Sequence, residues 1–261
     1  MNNFNGIIFE ENPEAVYKTM NSGLFKAVEY IDNRRVIVKF IDTGYEKLVT
    51  SSQVRRGSIK DPYYKRRYGV GFLGEGEYSH RDHPMAYTTW SNMLRRTYRD
   101  GEDKCYDNVE VCKDWHNFQN FAEWFISNHV DDMTLDKDLF GTLKGISVYS
   151  PETCVFIPTC LNAAIGRGRA KKAKLPRGVL SKNMKTFYAA ITDYETSDTT
   201  HYGPFYELVG AHNEYKRRRK IQLLEMINRL LLNQQIDIKI FFRVIDLLPN
   251  IDKYGDIYET T

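Results

Sequence analysis

The chain has 261 residues, of which 42% are hydrophobic and 27% are charged, a balance that supports folded cores and excludes an intrinsically disordered protein. Its formal net charge is only +3, so the total charge alone identifies no partner. The sequence contains no run of about 18 apolar residues, and its N-terminus lacks the pattern of a secretory signal. These features predict a cytoplasmic protein that does not contact a membrane.

The distribution of charge is more informative than its total. Between Ala163 and Lys220 the chain has thirteen Lys and Arg residues against five acidic residues, a net charge of +8 in one segment. The part that follows, from Ile221 onward, is slightly acidic. Such a concentration of positive charge indicates a localised anionic partner.

The first folded region is predicted from alternating apolar and polar residues between positions 23 and 59. Strands are expected at 25–30, 36–40 and 45–49, separated by turns rich in Asp, Asn and Gly. They predict a small N-terminal β-barrel or sheet that occupies residues 1–68.

A second domain, residues 69–165, begins with the glycine-rich segment 69–78. A phosphate-binding loop is rejected there, because no helix opens directly after it, and a flexible or turn-forming strand between domains is expected instead. Amphipathic helices follow at 86–99 and 117–128, each with an apolar stripe typical of a core. His83 and His129 lie near these helices, and a catalytic or metal-binding role for either is a second interpretation beside that of surface histidines.

The segment 135–162 ends this domain and holds the candidate chemistry. A polar turn set is followed by an extended stretch at 146–149, a Ser-Pro-Glu turn, and a second apolar run at 154–157. We predict a two-stranded hairpin that enters a helix. The four cysteines lack C-x-x-C spacing and are interpreted as buried thiols, with zinc binding as the alternative: Cys105, Cys112, Cys154 and Cys160.

Residues 166–220 are predicted to form a basic linker and a DNA-binding module. Strands are expected at 177–180, 186–192 and 201–205, followed by a helix to about residue 220 whose Leu208, Ala211 and Tyr215 pack on the sheet. The other sheet face would then be free to enter a DNA major groove. The candidate DNA-binding residues are Arg167, Arg169, Lys171, Lys172, Lys174, Arg177, Lys182, Lys185, Tyr188, Thr192 and His201.

Residues 221–261 are predicted to form a pair of helices, with a break near 233–235, and a polar tail. Their leucine stripe favours packing on the rest of the chain. A homodimer or a protein partner bound through these helices is the second interpretation.

Several of these motifs resemble those of known families. The segments GVGFLGEGEY and YTTWSNMLRRTY, together with the LDKDL…YSPETCVFIP…LN block, resemble phage-encoded proteins related to HNH homing endonucleases. Residues 188–191, with Gly203-Pro204-Phe205, Ala211 and Tyr215, are similar to the APETALA-type domain of ethylene-response factors, although Gly210 and His212 depart from its alanine-rich helix. The resemblance implies an α+β fold with a central HNH-like ββα region of the His-Me finger type between the N-terminal sheet and the C-terminal sheet and helices.

The HNH resemblance also implies a set of site residues. The family's catalytic histidine falls at Lys137, its acidic metal ligand at Asp136, its middle asparagine at Thr153 and its final ligand at Asn162. HNH chemistry needs a base that deprotonates water beside one divalent ion, which would be Mg²⁺ held by Asp136 and Asn162 if the site is active. A lysine is protonated at pH 7 and cannot be that base unless burial deprotonates it. The catalytic site is therefore expected to be degenerate, with no certain cofactor.

Three functions follow from these patterns. The first is a phage-type protein that binds double-stranded DNA in the host cytoplasm and keeps an HNH-like scaffold. The second is an active metal-dependent endonuclease or nickase whose base is His129 or His83. The third is a protein-binding phage factor that inhibits a host or competing-element system through its aromatic surface and C-terminal helices.

Overall fold

The structure, a computed structural model, describes residues 15–99, 109–141, 148–166 and 175–248. The chain forms two compact units: Met1–Asn128 with Ser147–Pro151 make the first, and His129–Ile146 with Glu152–Thr261 make the second. The division between them falls inside the segment 69–165 that was predicted to be one domain. Each unit contains an antiparallel sheet made of consecutive strands, together with helices, which confirms the α+β class.

The elements are numbered along the chain. The strands are β1 (Val16–Lys18), β2 (Leu24–Asp32), β3 (Arg35–Phe40), β4 (Glu46–Val49), β5 (Glu110–Val111), β6 (Met133–Asp136), β7 (Val148–Tyr149), β8 (Val155–Pro158), β9 (Val179–Leu180), β10 (Phe187–Thr192) and β11 (Thr199–Phe205). The helices are α1 (Ser51–Arg56), α2 (Pro84–Tyr98), α3 (Phe118–Asn128), α4 (Asp138–Gly141), α5 (Thr159–Ile165), α6 (Leu208–Leu232) and α7 (Ile238–Leu247).

The first unit opens with an antiparallel sheet in the order β1-β2-β3-β4, which confirms the predicted N-terminal sheet. Alternate residues of its strands, including Phe25, Val38 and Phe40, are at most 1% exposed and form its core. Helix α1 closes the sheet and ends at Gly57, whose φ of 59° is left-handed and whose Cβ would lie 2.8 Å from the carbonyl oxygen of Lys18. Glycine is therefore required at this turn.

Helices α2 and α3 pack through large aromatic side chains, as their apolar stripes predict. Trp90, Trp115 and Phe118 are fully buried, and the indole Nε1 of Trp90 donates a hydrogen bond to the carbonyl of Trp115 at 2.7 Å. This bond satisfies the polar atom of a side chain that would otherwise be costly to bury.

The glycine-rich segment 69–78 is held in place by one glutamine of α3. The Oε1 of Gln119 accepts the N–H of Tyr78 at 3.0 Å, and its Nε2 donates to the carbonyls of Leu73 and Tyr78 at 3.1 and 2.9 Å. A Cβ at Gly74 would collide with the amide of Asn117. The glycines therefore allow the segment to approach α3 closely, and the segment lies within the first unit and not between domains as expected.

The hairpin predicted between 146–149 and 154–157 is wrong. Strand β7 pairs in parallel with β5 in the first unit, whereas β8 pairs antiparallel with β6 in the second. The β6–β8 ladder aligns four residue pairs, from Met133 with Pro158 to Asp136 with Val155, and β7 has only two residues to offer. The longer ladder also places Ile157 in the core of the second unit, and this favours it over the local turn.

The second unit is built around helix α6, which runs for 25 residues where a shorter helix ending near 220 was predicted. Its first half packs on an antiparallel sheet in the order β11-β10-β9, which confirms the predicted three strands and helix. Its second half packs with α7, α5 and β8 through a shared core that contains Ile157, Leu161, Leu223, Ile227, Leu230, Ile240 and Val244. The leucine stripe thus packs within the chain, and the predicted break at 233–235 is confirmed.

No helix among the described residues is long and apolar enough to cross a membrane.

The Gln119 contacts give a first prediction. Replacing Gln119 with alanine leaves the Tyr78 N–H and two carbonyls of the glycine-rich segment without their partner, so we expect the free energy of unfolding to fall by about 1 to 3 kcal/mol. Chemical denaturation followed by tryptophan fluorescence measures this loss. Glu123→Ala, an exposed position of the same helix, is the control and should change stability by less than about 0.5 kcal/mol. Equal stabilities of the two variants would contradict a stabilising role for the Gln119 hydrogen bonds.

Candidate functional site

The segment that resembles an HNH site lies at the start of the second unit. Strand β6 ends at Asp136, which pairs with Val155 of β8, and α5 follows β8 without a gap. Asp136 and Lys137 thus stand at the end of the first strand, and Asn162 lies on the helix that follows the second. The order of these elements is two antiparallel strands and a helix.

Asp136 is 9% exposed, and its side chain accepts a hydrogen bond from the backbone. Its Oδ1 accepts the N–H of Leu139 at 2.7 Å and so caps the short helix α4. Burial raises the pKa of the Asp136 carboxyl to about 6, because a buried carboxylate is poorly solvated, and the Leu139 N–H opposes part of that shift. The side chain predicted as a metal ligand therefore has a second explanation in the local fold.

Lys137, the residue to which the sequence resemblance assigns the HNH histidine, has a side chain that is 8% exposed. Its Nζ donates to Oδ1 of Asp138 at 2.6 Å. An ammonium group donates hydrogen bonds and accepts none. Lys137 is therefore held in an ion pair with its sequence neighbour Asp138.

Thr153 and Asn162 are the other two residues that the HNH resemblance assigns to the site. Asn162 is half-buried on α5, and Thr153 is 3% exposed with its hydroxyl 4.0 Å from the Sγ of Cys154. Within the described part of the chain, no group of three or more His, Cys, Asp or Glu side chains is placed to hold a metal ion. Cys105 lies outside that part.

The two histidines considered as alternative bases lie in different units. His83 precedes α2 in the first unit, where its ring packs against Tyr78 with 5.4 Å between centroids. His129 belongs to the second unit, and its ring meets Phe156 of β8 edge to face at 5.1 Å. Its Nδ1 is 3.9 Å from a carboxylate oxygen of Asp131, which is 95% exposed. His129 is therefore the histidine packed against the two-strand segment.

The sheet of β9, β10 and β11 is covered by α6 on one face. Phe187, Ala189 and Ile191 of β10 point toward the helix and are at most 8% exposed. We call the opposite face the open face. It carries Tyr188, Ala190 and Thr192 of β10 and the residues paired with them on the neighbouring strands, namely Leu180, Thr199 and His201.

The open face contains three of the residues predicted to contact DNA. Thr192 and His201 are exposed and Tyr188 is half-buried. Leu180, Ala190 and Thr199 were missed, although alternation from Tyr188 points to Ala190. The other two required the strand register, which the sequence does not provide.

The predicted lysines lie on the β9–β10 loop, whose shape is fixed by hydrogen bonds. Lys182 and Lys185 are exposed there. Asn183 Oδ1 accepts the N–H groups of Lys185 and Thr186 at 2.9 and 3.0 Å, and the Ser181 hydroxyl accepts that of Met184 at 2.9 Å. Both ammonium groups therefore extend from an ordered turn at one end of the open face.

Three arginines in the basic run of α6 contact other groups of the protein, namely Arg217, Arg218 and Arg219. Hydrogen bonds from Arg217 and Arg218 lower the pKa of Glu214 to about 2, and the guanidinium of Arg218 also lies 3.3 Å from the ring centroid of Tyr202. Arg219 is 3% exposed and donates to the carbonyl of Ala164 at 2.5 Å. Glu214 is already subtracted in the net charge of +8, so its pairing with Arg217 and Arg218 does not change that total. Burial of Arg219 does remove one positive charge from solvent.

The rest of the predicted interface is only partly described. Arg177 is half-buried just before β9. The other basic residues of the linker lie outside the described residues: Arg167, Arg169, Lys171, Lys172 and Lys174.

Comparisons with known proteins give no relative. No family model matches the chain, no curated protein matches its sequence, and no solved structure matches it. The likeness to HNH and APETALA-type proteins therefore rests on the sequence motifs alone.

The buried Asp136 predicts a pH dependence of stability. Because its pKa is raised in the folded state, Asp136 binds more protons in the folded chain between about pH 4 and 6, and its contribution to the free energy of unfolding must fall as pH rises through that interval. The loss should reach about 2 to 3 kcal/mol for a shift of roughly two pKa units.

Asp136→Asn keeps the acceptor for Leu139 and removes the titration, so this part of the pH dependence should disappear. Denaturation followed by circular dichroism at several pH values measures it. Asp131→Asn, at a 95% exposed position, is the control and should retain the wild-type pH dependence. A wild-type slope in Asp136→Asn would show that another group titrates.

Proposed function

We propose that the protein binds double-stranded DNA with the open face of the β9–β11 sheet, and that the segment around Lys137 is a nuclease-like scaffold with a degenerate catalytic site. The observation that carries the first part is the open face itself, an uncovered sheet surface bordered by two exposed lysines on an ordered turn. As a phage-type protein, the chain would act in the host cytoplasm.

The dimensions of the sheet support this proposal. A narrow antiparallel sheet or ribbon fits the major groove, which is about 12 Å wide, and uses outward side chains to contact base edges. Strands β10 and β11 supply six and seven residues, and β9 supplies two. Helix α6 fills the inner face and leaves the outer face uncovered by the described residues of the second unit.

Charge at the two ends of the sheet supports one direction of docking. Lys182 and Lys185 lie at the β9–β10 end, whereas Asp193, Glu195 and Asp198 lie in the β10–β11 turn. Phosphates attract the first end and are repelled by the second. We therefore place the β9–β10 loop against the DNA backbone.

The test is the salt dependence of duplex binding. Wild-type protein should bind a duplex of mixed sequence with an affinity that falls steeply as salt rises. The double variant Lys182→Ala/Lys185→Ala should bind more weakly, and its slope of log affinity against log salt should be smaller by about 2, one for each lost phosphate contact. Fluorescence anisotropy over a salt series measures both.

Lys239→Ala is the matched control, because Lys239 is an exposed lysine of α7, and its slope should equal that of the wild type. Equal slopes for all three proteins would remove the β9–β10 loop from the interface. If the wild type binds no duplex even at low salt, the proposal is wrong. The exposed Ile238 and Phe242 of α7 would then favour the protein-partner or homodimer alternative.

The degenerate site has its own test. The Lys137–Asp138 ion pair and the helix cap made by Asp136 support a structural role, so wild-type protein should leave supercoiled plasmid intact with Mg²⁺ or Mn²⁺ at salt concentrations where it binds DNA. Agarose gels resolve supercoiled from nicked and linear plasmid. Metal-dependent nicking that Asp136→Ala abolishes and Asp131→Ala retains would establish the nuclease alternative instead.

A further inference from the structure

We infer that the open face recognises thymine, through apolar contacts with the 5-methyl groups that line the major groove. This inference rests on the proposed function and specifies its target. The chemical class of ligand is duplex DNA whose contacted pairs are A·T, with the thymine methyl as the group that is recognised.

The composition of the strands excludes the common hydrogen-bonding readers of bases. Paired hydrogen bonds to guanine come from Arg or Lys, those to adenine come from Asn or Gln, and cytosine is read by Glu or Asp. Strands β9, β10 and β11 contain no Arg, Lys, Asn, Gln, Glu or Asp residue. The strands therefore have no side chain that makes the usual paired contacts with a base.

The open face offers apolar groups in their place. Leu180 is 49% exposed, and it pairs across the strands with Tyr188. Ala190, the next outward residue of β10, pairs with His201. Leucine, alanine and an aromatic ring form a shallow apolar surface, and the thymine methyl is the one apolar group that a base presents in the major groove.

Two contacts fix the shape of this surface. A Cβ at Gly203 would lie 3.0 Å from Cδ1 of Tyr188, so the tyrosine ring rests over a glycine of the neighbouring strand. The hydroxyls of Thr192 and Thr199 lie 3.0 Å apart and hydrogen-bond to each other. One of these hydroxyl protons is therefore used in a hydrogen bond within the protein. The surface is thus preorganised in the absence of DNA.

The experiment uses the full chain and a random-sequence duplex library. Duplexes retained at a salt concentration that suppresses non-specific binding are sequenced, and the best is synthesised with thymine and again with uracil, which lacks only the methyl group. We expect thymine-rich selected sites. Replacement by uracil should weaken binding roughly fourfold for each contacted methyl, the factor that corresponds to ~0.8 kcal/mol. The salt slope should be unchanged, because the phosphates are the same.

Equal affinity for the thymine and uracil duplexes would overturn the inference while leaving DNA binding intact. Absence of any retained duplex is a different result, because it overturns the proposed function and this inference with it.

A matched pair of variants assigns the contact to the open face. Leu180→Ser should reduce the thymine-to-uracil affinity ratio toward one, and Leu232→Ser, at an 81% exposed leucine that ends α6, should keep the wild-type ratio. Because each ratio compares two duplexes on one protein, a modest loss of stability does not alter it. An unchanged ratio in Leu180→Ser, or an equal loss in both variants, would show that methyl recognition does not come from the sheet.

Discussion

The second unit depends on one buried guanidinium, that of Arg219. It donates to the carbonyl of Ala164 in α5 and to Gln222 in the next turn of its own helix, and its guanidinium carbon lies 4.5 Å from the ring centroid of Tyr194. Burying an arginine is costly unless its donors are satisfied, and these contacts come from three separate parts of the unit. The guanidinium thus joins α5, the β10–β11 turn and α6 at one point.

A second set of contacts extends this connection to the sheet. The Nε2 of Gln222 donates to the carbonyl of Thr192 at 3.0 Å, and Arg229 pairs with Glu195 at 2.5 Å. Helix α6 therefore contacts the β10–β11 hairpin near its turn through Gln222 and Arg229. The second half of the helix also packs in the apolar core. Glu195 is one of three carboxylates in the β10–β11 turn, and Arg229 of α6 pairs with it. Lys182 and Lys185, at the opposite end of β10, remain exposed.

Much of this arrangement follows from local patterns in the sequence. The strands around Phe25 and Val38, the aromatic helices around Trp90 and Phe121, and the break after Leu232 are periodic or have clear turn residues, so periodicity located them. The pairing of Val148–Tyr149 with Glu110–Val111 joins segments far apart in sequence, and nothing local indicates it. The adjacent apolar runs at 146–149 and 154–157 suggested a hairpin because proximity in sequence was the only guide.

The sequence motif selects candidate site residues, but it does not predict their burial or their contacts. The motif indicated Asp136 and Lys137, yet whether a lysine is paired or free depends on burial and on the neighbour it meets, and the Asp138 contact became visible only in the fold. The basic run at 216–220 shows the same limit, because counting charges cannot separate Arg219, which is buried, from residues that remain in solvent. Register decided which residues share the open face, and single-sequence patterns leave register undetermined.

The placement of β7 has a consequence for how this protein can change by recombination. Ser147–Pro151, which contain β7, belong to the first unit, although His129–Ile146 and Glu152–Thr261 on either side belong to the second. Neither unit is a continuous stretch of chain. A recombination event that transfers either unit as one segment therefore separates β7 from β5, the strand with which it pairs.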